Sequence, residues 1–283
     1  MHVNQLWRYP VKSMIGETVE QVELGPLGIV GDRTWATRDL ERGGIRGAKK
    51  IGPLMRLAAR DRGDGHAEIT LPDGSTVSTA DRDVDARVSA ALDHPVRLER
   101  LRPADDLDHY RRGAPDSDDM VVELRAIFGR EEQEPFPDFA VFPPSIAEFE
   151  SPPGTYYDAF ALLVMTTAAL GALRRALPDS AIDIRRFRPS IVVDTGDDGG
   201  EASTPGHPEF DWSGRRAMIG GATIEFQAPC PRCVMVTREI DSEVPADRAV
   251  LRHIVRDLDQ NVGIYATVVT PGVVTLGDAV QMD

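Results

Sequence analysis

The sequence predicts a mixed fold, mainly β with several helices, in which an N-terminal β-barrel-like domain precedes a second β-rich domain. Three observations carry this expectation. Roughly the first hundred residues break into short, alternating, β-branched runs punctuated by glycine and proline. The later part brings buried strands together with two apolar stripes at helical spacing. The length of 283 residues is generous for a single core and suits two.

Taken in order, Val3, Gln5, Leu6, Trp7 and Tyr9 spell a first strand that Pro10 ends. Val11-Lys12-Ser13-Met14 follows as a turn that sets a lysine beside a hydroxyl. Val19 to Leu24 is a second strand, closed by Gly25-Pro26-Leu27-Gly28, and a third begins at Gly31-Asp32-Arg33-Thr34-Trp35. His66–Leu71 and Ser75–Ser78 flank Pro72-Asp73-Gly74 as a hairpin. One helix is expected over Asp83–Leu92, with Val84, Val88, Ala91 and Leu92 on one face. Residues 103–155 then lose periodicity under frequent prolines and acidic runs, and are expected to connect two domains, 1–102 and 156–283. The acidic runs are expected to be solvated faces, with no site among them.

Order returns at Phe160–Met165, a buried strand feeding a helix that Leu170, Leu173 and Leu177 mark and Pro178 stops. Thr166 and Thr167 stand at its start, where free N–H groups and the helix dipole make either an N-cap or an anion site. Arg185-Arg186-Phe187-Arg188-Pro189-Ser190 leads into the strand Ile191–Asp194, and its planar forks suit a phosphate or carboxylate. Asp197–Gly206 is a Gly/Asp-rich loop. Val250, Leu251, Ile254, Val255 and Leu258 mark an amphipathic helix, and Gly263–Val269 with Val273–Leu276 forms a closing hairpin around Pro271-Gly272.

Composition narrows the function. Forty-six acidic against 32 basic residues leave a net charge of −14, the wrong sign for nucleic acid or an anionic membrane surface. Lys12, Lys49 and Lys50 are the only lysines, and an arginine-weighted basic set in an acidic chain suits a small anionic molecule. No run of about 18 apolar residues appears, so no membrane span is expected. The N-terminus lacks the pattern of a signal peptide, and two cysteines in such a chain fit a reducing cytoplasm.

Those two cysteines lie in Ala228-Pro229-Cys230-Pro231-Arg232-Cys233, on a turn expected between the strands Ala222–Phe226 and Val234–Thr237. Four readings stand open: a zinc site, which wants about four ligands; a disulfide closing a very short loop; two inert core thiols; and a reactive thiolate or soft-metal ligand. Arg232 beside Cys233 would favour the ionised sulfur, and the prolines would stiffen the turn.

Several of these stretches together resemble one family. Tyr9-Pro10-Val11-Lys12-Ser13, Gly25-Pro26-Leu27-Gly28 and Gly31-Asp32-Arg33-Thr34-Trp35 resemble the β-barrel domain that precedes a MOSC domain. Phe160 through Leu173, Arg186 through Val193, Ile219-Gly220, Cys230-x-x-Cys233, Gly263-Ile264-Tyr265-Ala266, Pro271-Gly272 and Gly277-Asp278 resemble the MOSC β-barrel domain itself. The resemblance spans nearly the whole chain, and within the superfamily it is similar to the amidoxime-reducing molybdoenzymes and their bacterial relatives. It implies a molybdenum cofactor of molybdopterin type held between the domains, with Cys233 as the thiolate on the metal. It further implies that Lys12, Ser13, Arg33, Thr166, Thr167, Arg188 and Ser190 hold the pterin and its phosphate. Ser190 stands where the family often carries an amide residue, and it offers fewer hydrogen bonds.

The activity so implied is reduction of N-hydroxylated or related N–O and S–O small molecules. Some bacterial relatives carry an iron–sulfur domain rich in cysteine; with only two cysteines here, electrons are expected from a separate ferredoxin-, flavoprotein- or cytochrome-like protein. The alternatives are a non-catalytic carrier of the cofactor or of sulfur, and a metal-free dithiol redox protein cycling Cys230 and Cys233. Parts of 103–155 and 195–215 are expected to face the substrate.

Overall fold

The structure, a computed structural model, describes residues 1–196 and 204–283. Among them it is mainly β, with five helices. Strands β1 (His2–Arg8), β2 (Glu17–Val19), β3 (Gln21–Gly25) and β4 (Gly28–Ile29) come first, and β5 (Trp35–Asp39) pairs antiparallel with β9 (Val96–Arg100). Between these two lie β6 (Ala58–Asp61), β7 (Ala67–Thr70) and β8 (Thr76–Ser78), a three-stranded sheet containing the expected hairpin, and helix α1 (Val84–Leu92).

The large sheet is built from β10 (Leu162–Thr166), β11 (Ile191–Asp194), β12 (Arg216–Ile219), β13 (Ala222–Pro231), β14 (Asn261–Thr270) and β16 (Val280–Met282), joined by β1 and β2. Its order is β16-β12-β13-β14-β10-β11-β1-β2. Only β10 and β11 pair in parallel, and helix α4 (Thr167–Ala176) lies in their connection, as a parallel crossover requires. Leu6 of β1 faces Ile191 of β11, so the N-terminus is woven into the second half of the chain.

Strand β15 (Gly272–Thr275) corrects one expectation. It pairs with β3, Val273 opposite Glu23, and forms no hairpin with β14. Gly272 makes the close approach possible, since a Cβ there would meet the Gly221 carbonyl oxygen at 2.2 Å. The stretch 103–155 holds more regular structure than expected, namely helices α2 (Leu107–Tyr110) and α3 (Met120–Phe128). Asp119 caps α3 by accepting from the Val121 and Val122 amides. The acidic runs are mostly exposed, as expected, but some of their carboxylates are paired: Asp116 takes Arg46 and Lys50, and Glu134 takes Arg252 of helix α5 (Arg248–Asp257).

Three apolar cores matter for the site. One lies among the small sheets, around Val11, Met14, Leu54, Ile69 and Val88, and Met235, Ile240 and Val244 from late in the chain complete it. A second fills the large sheet around Leu6, Val164, Ile191, Ile224 and Ile264. The third joins α4 to α5 through Leu170, Leu173, Phe187, Val250 and Ile254, and takes in Val236. Neighbouring residues Met235 and Val236 therefore anchor in different cores, which pins the segment following the cysteines at a junction. No helix among the described residues is long and apolar enough to cross a membrane. The expected loop Asp197–Gly206 and substrate-facing stretch 195–215 lie outside the described residues over 197–203.

Candidate functional site around Cys233

Strand β13 loses its regular register between Phe226, Pro229 and Pro231, because prolines cannot donate to a ladder. The chain leaves the sheet there. The stretch Val234–Thr237, expected as a strand, is a single 3-10 turn with Cys233 at its N-cap. Both cysteines are free thiols, Cys230 buried and Cys233 half-buried against the edge of the first core. Arg186, fully buried, fixes the far side of the turn by donating to the carbonyls of Val236 at 3.2 Å, Arg238 at 3.0 Å and Pro245 at 2.6 Å.

Four cations lie within electrostatic reach of Cys233: Lys49, Arg130, Arg232 and Arg238. Lys49 comes from the loop after β5, and Arg130 from the supposed connecting segment. Burial works against all four charges. At Lys49 the opposing pull of Asp158 and Cys233 wins and raises the group above its ordinary value, whereas Arg130 stays pushed down to about 10. Arg232 gives its two terminal nitrogens to other groups: one donates to Cys230 Sγ at 3.1 Å and the other to the Phe187 carbonyl at 2.7 Å. Burial pushes the Cys230 thiol up, against the pull of Arg232 and of a hydrogen bond with Tyr265.

Asp158 ties these groups to the N-terminal residues. Its Oδ1 lies 2.6 Å from Lys12 Nζ and its Oδ2 2.9 Å from Lys49 Nζ. Burial alone would raise this carboxyl, but the two ammonium groups hold it well below the usual carboxylate range. Lys12 also donates to the Tyr156 carbonyl at 2.8 Å, and burial pushes its own value down. Gly47 is needed beside it, since a Cβ there would strike Ser13 Oγ at 2.5 Å.

Arg33 and Arg188 stack on one ring. Their guanidinium carbons lie 5.2 and 4.2 Å from the Tyr9 centroid, and Asp32 pairs with Arg33. Burial, then the like charge of Arg33, pushes Arg188 down to about 10. Arg188 also senses Asp158, and Tyr9 senses Arg232, so the two groups of cations form one neighbourhood. Ser13, Arg33 and Arg188 have φ of 69°, 48° and 58°, three of the six non-glycine residues with positive φ among the described residues. Backbone strain of this kind persists where surrounding structure enforces it, and it gathers at functional sites.

The remaining sequence-predicted residues are engaged separately. Thr166 caps α4 by accepting from the Ala169 amide at 3.1 Å, and its hydroxyl donates to Glu209 at 2.8 Å. Thr167 donates to Asp194 at 3.3 Å. Glu209 is fully buried, so the anion nearest this helix start is the protein's own carboxylate. Ser190 is buried too, its Oγ accepting from the Leu163 amide at 3.3 Å. Sequence reasoning missed Lys49, Arg130, Asp158 and Arg238, which belong to no local motif, and gave no role to Tyr265, which lies in one. A cavity of about 360 Å³ lined by Asp39, Arg46, Lys50, His94 and Asp116 contains none of the predicted site residues.

Fold and site together define a mainly β protein that carries one half-buried cysteine beside a cationic, partly strained set of binding groups. The chain belongs to the MOSC domain proteins: the family model of the MOSC domain matches residues 152–281, and that of the MOSC N-terminal beta barrel domain matches residues 1–110. MOSC domains are associated with molybdenum-cofactor proteins of sulfurase and reductase type. Among solved structures the chain is similar to the YuaD protein from Bacillus subtilis, at 11% identity over 99% of this chain and 94% of that one, with a TM-score of 0.46. It is also similar to YiiM from Geobacillus stearothermophilus (14% identity) and YiiM from Escherichia coli (16%), each covering 44% of this chain and 54% of the other, with TM-scores of 0.32. Likenesses this low carry no argument of their own. No curated protein matches the chain.

Proposed function

We propose that the chain is a molybdenum-cofactor oxidoreductase that removes oxygen from N-hydroxylated or related N–O and S–O compounds, with electrons from a separate donor protein. The observation that carries this reading is the gathering of Lys12, Lys49, Arg130, Arg188, Arg232 and Arg238 within electrostatic reach of Cys233 or Asp158, with Arg33 beside Arg188 over Tyr9, in a chain of net charge −14. Local charge here opposes the charge of the whole molecule, which is what an anionic ligand requires.

The residues fit the cofactor. The buried Nε atoms of Arg232 and Arg238 have no hydrogen-bond partner, so donors are left over. Arg33 and Arg188 crowd like charges over Tyr9 with only Asp32, among the described residues, in an ion pair with them, and a phosphate would relieve that crowding. Among the described residues no three His, Cys, Asp or Glu side chains gather for a metal, so Cys233 offers a single soft sulfur to a metal held mainly by its own organic ligand.

Cys233 would hold the metal, and Lys12, Ser13, Arg33 and Arg188 would hold the pterin and phosphate. Thr166, Thr167 and Ser190, expected among these groups, are engaged with Glu209, Asp194 and Leu163 instead. When bound, the group supplies two-electron redox chemistry at a thiolate-ligated metal. Asp158 keeps Lys12 and Lys49 in register, and core packing on both sides of the turn limits water. Overall, an N–O bond breaks, two electrons and two protons are taken up, nitrogen gains hydrogen, and water leaves.

The test is reduction of benzamidoxime by the purified, molybdenum-loaded full chain with an artificial electron donor. Turnover that disappears in Cys233→Ala is the expected result. Full turnover in that variant sinks the reading, while bound molybdenum without any turnover leaves a cofactor carrier.

A further inference from the structure

We propose that Arg130 and Gln260 form a positioning clamp on the peptide that precedes Cys233, making the segment before the second domain a wall of the site. This rests on the reading of Cys233 as the reactive sulfur. The clamp is a closed ring of hydrogen bonds. The Arg232 amide donates to the Gln260 carbonyl at 2.8 Å, and the Arg232 carbonyl, directly before Cys233, accepts from Arg130 at 3.1 Å. The Gln260 side chain completes the ring, its Oε1 accepting from Arg130 Nε at 3.2 Å and from a terminal nitrogen at 2.9 Å.

Gln260 reaches both partners because its backbone is left-handed, φ 71°, following Asp259 at φ 45°. Two successive non-glycine residues in that region cost stability, and the structure holds them there. Gln260 Nε2 also donates to the Phe136 carbonyl at 3.4 Å, which sets the orientation of the amide and ties in residue 136 of the same segment.

Arg130 is 5% exposed, and among the described residues no carboxylate lies within ion-pair reach of it. A buried cation bonded only to neutral oxygens is an expensive way to hold a turn. A neutral donor would have served a purely structural purpose. The opposite charges that act on it are Cys233 first and then Glu134, and the fully buried Arg186 grips the other side of the same turn through backbone carbonyls.

The experiment is a double-mutant cycle on the full chain with Arg130→Met, Gln260→Leu and the pair, and Gln260→Glu as the conservative variant that keeps the accepting oxygen. In metal-free protein, amide hydrogen exchange at Arg232 is expected to quicken at least about tenfold in each single variant, with the melting temperature near wild type. The double variant should exchange no faster than the singles, and Gln260→Glu, which keeps the oxygen that accepts from Arg130 but loses the donation to Phe136, should exchange more slowly than Gln260→Leu. In loaded protein, Arg130→Met and Gln260→Leu should lose molybdenum on dialysis and alter its paramagnetic resonance spectrum, and Gln260→Glu should retain more molybdenum than Gln260→Leu. Exchange at Arg232 that is unchanged, effects that multiply in the double variant, or molybdenum retained with an unaltered spectrum each overturn the clamp. Wild-type protein that never holds molybdenum sinks the functional reading instead, and the exchange cycle then decides the clamp alone.

Discussion

Lys12 Nζ and Asp158 Oδ1 meet at 2.6 Å across 146 positions of sequence, and this contact fastens the first turn of the chain to the entry of β10. Lys12 is almost wholly buried, so the carboxylate is its necessary counter-charge. Lys49 shares the other oxygen, which makes Asp158 the point where both lysines and, through Lys49, Cys233 are brought together.

Asp158→Asn should therefore destabilise the protein. Breaking a fully buried pair costs about 3–5 kcal/mol, and the 39% exposure of the Asp158 side chain reduces this to roughly 1–3 kcal/mol. The carboxyl is held below its ordinary value, so its contribution is complete above the unfolded value near pH 4 and fades as pH falls through the folded one. Denaturant melts of wild type and Asp158→Asn from pH 7 downward should converge at the acid end. A gap that stays constant with pH removes Asp158 from this role.

Under native conditions one thiol should react. Cys230 is buried and its ionisation is opposed by burial, while Cys233 is half-exposed among cations. Brief iodoacetamide treatment followed by mass spectrometry should find the label on Cys233, with Cys230 labelled only after unfolding. Native labelling of Cys230 would contradict the arrangement.

Arg188→Lys keeps a charge but loses the planar stacking on Tyr9 and the fork that reaches the Met14 carbonyl. Cofactor retention should fall by about tenfold or more, corresponding to the loss of roughly 1–2 kcal/mol of cation–π and hydrogen-bond energy. Retention equal to wild type would place the phosphate elsewhere.

Installing the family's amide by Ser190→Asn should not improve the site. Ser190 is 1% exposed and hydrogen-bonded to Leu163 through both its backbone and its hydroxyl, so the larger side chain overpacks the β10–β11 junction. A loss of about 1–3 kcal/mol in denaturant unfolding is expected. A gain in both stability and cofactor retention would reverse this view of Ser190.

Much of the architecture was legible because it is local. Alternation gave away β1, β3 and the β7–β8 hairpin, and Thr166 before an apolar stripe located α4. The failures share one cause. Val234–Thr237 has strand composition yet forms a 3-10 turn, because Met235 and Val236 are drawn into separate cores. β15 looks like half of a hairpin yet pairs with β3, a choice made by a distant partner.

From residue order alone came the mainly β character, the family, and Cys233 with Lys12, Arg33 and Arg188 as the groups to watch. Only the folded chain selected Asp158 as their hinge, brought Lys49, Arg130 and Arg238 to the sulfur, and spent Thr166 on Glu209 rather than on an open donor. The physical reason is range. Hydrogen-bonded turns and apolar periodicity act between near neighbours, whereas a buried charge must be balanced by whichever group the cores happen to bring beside it.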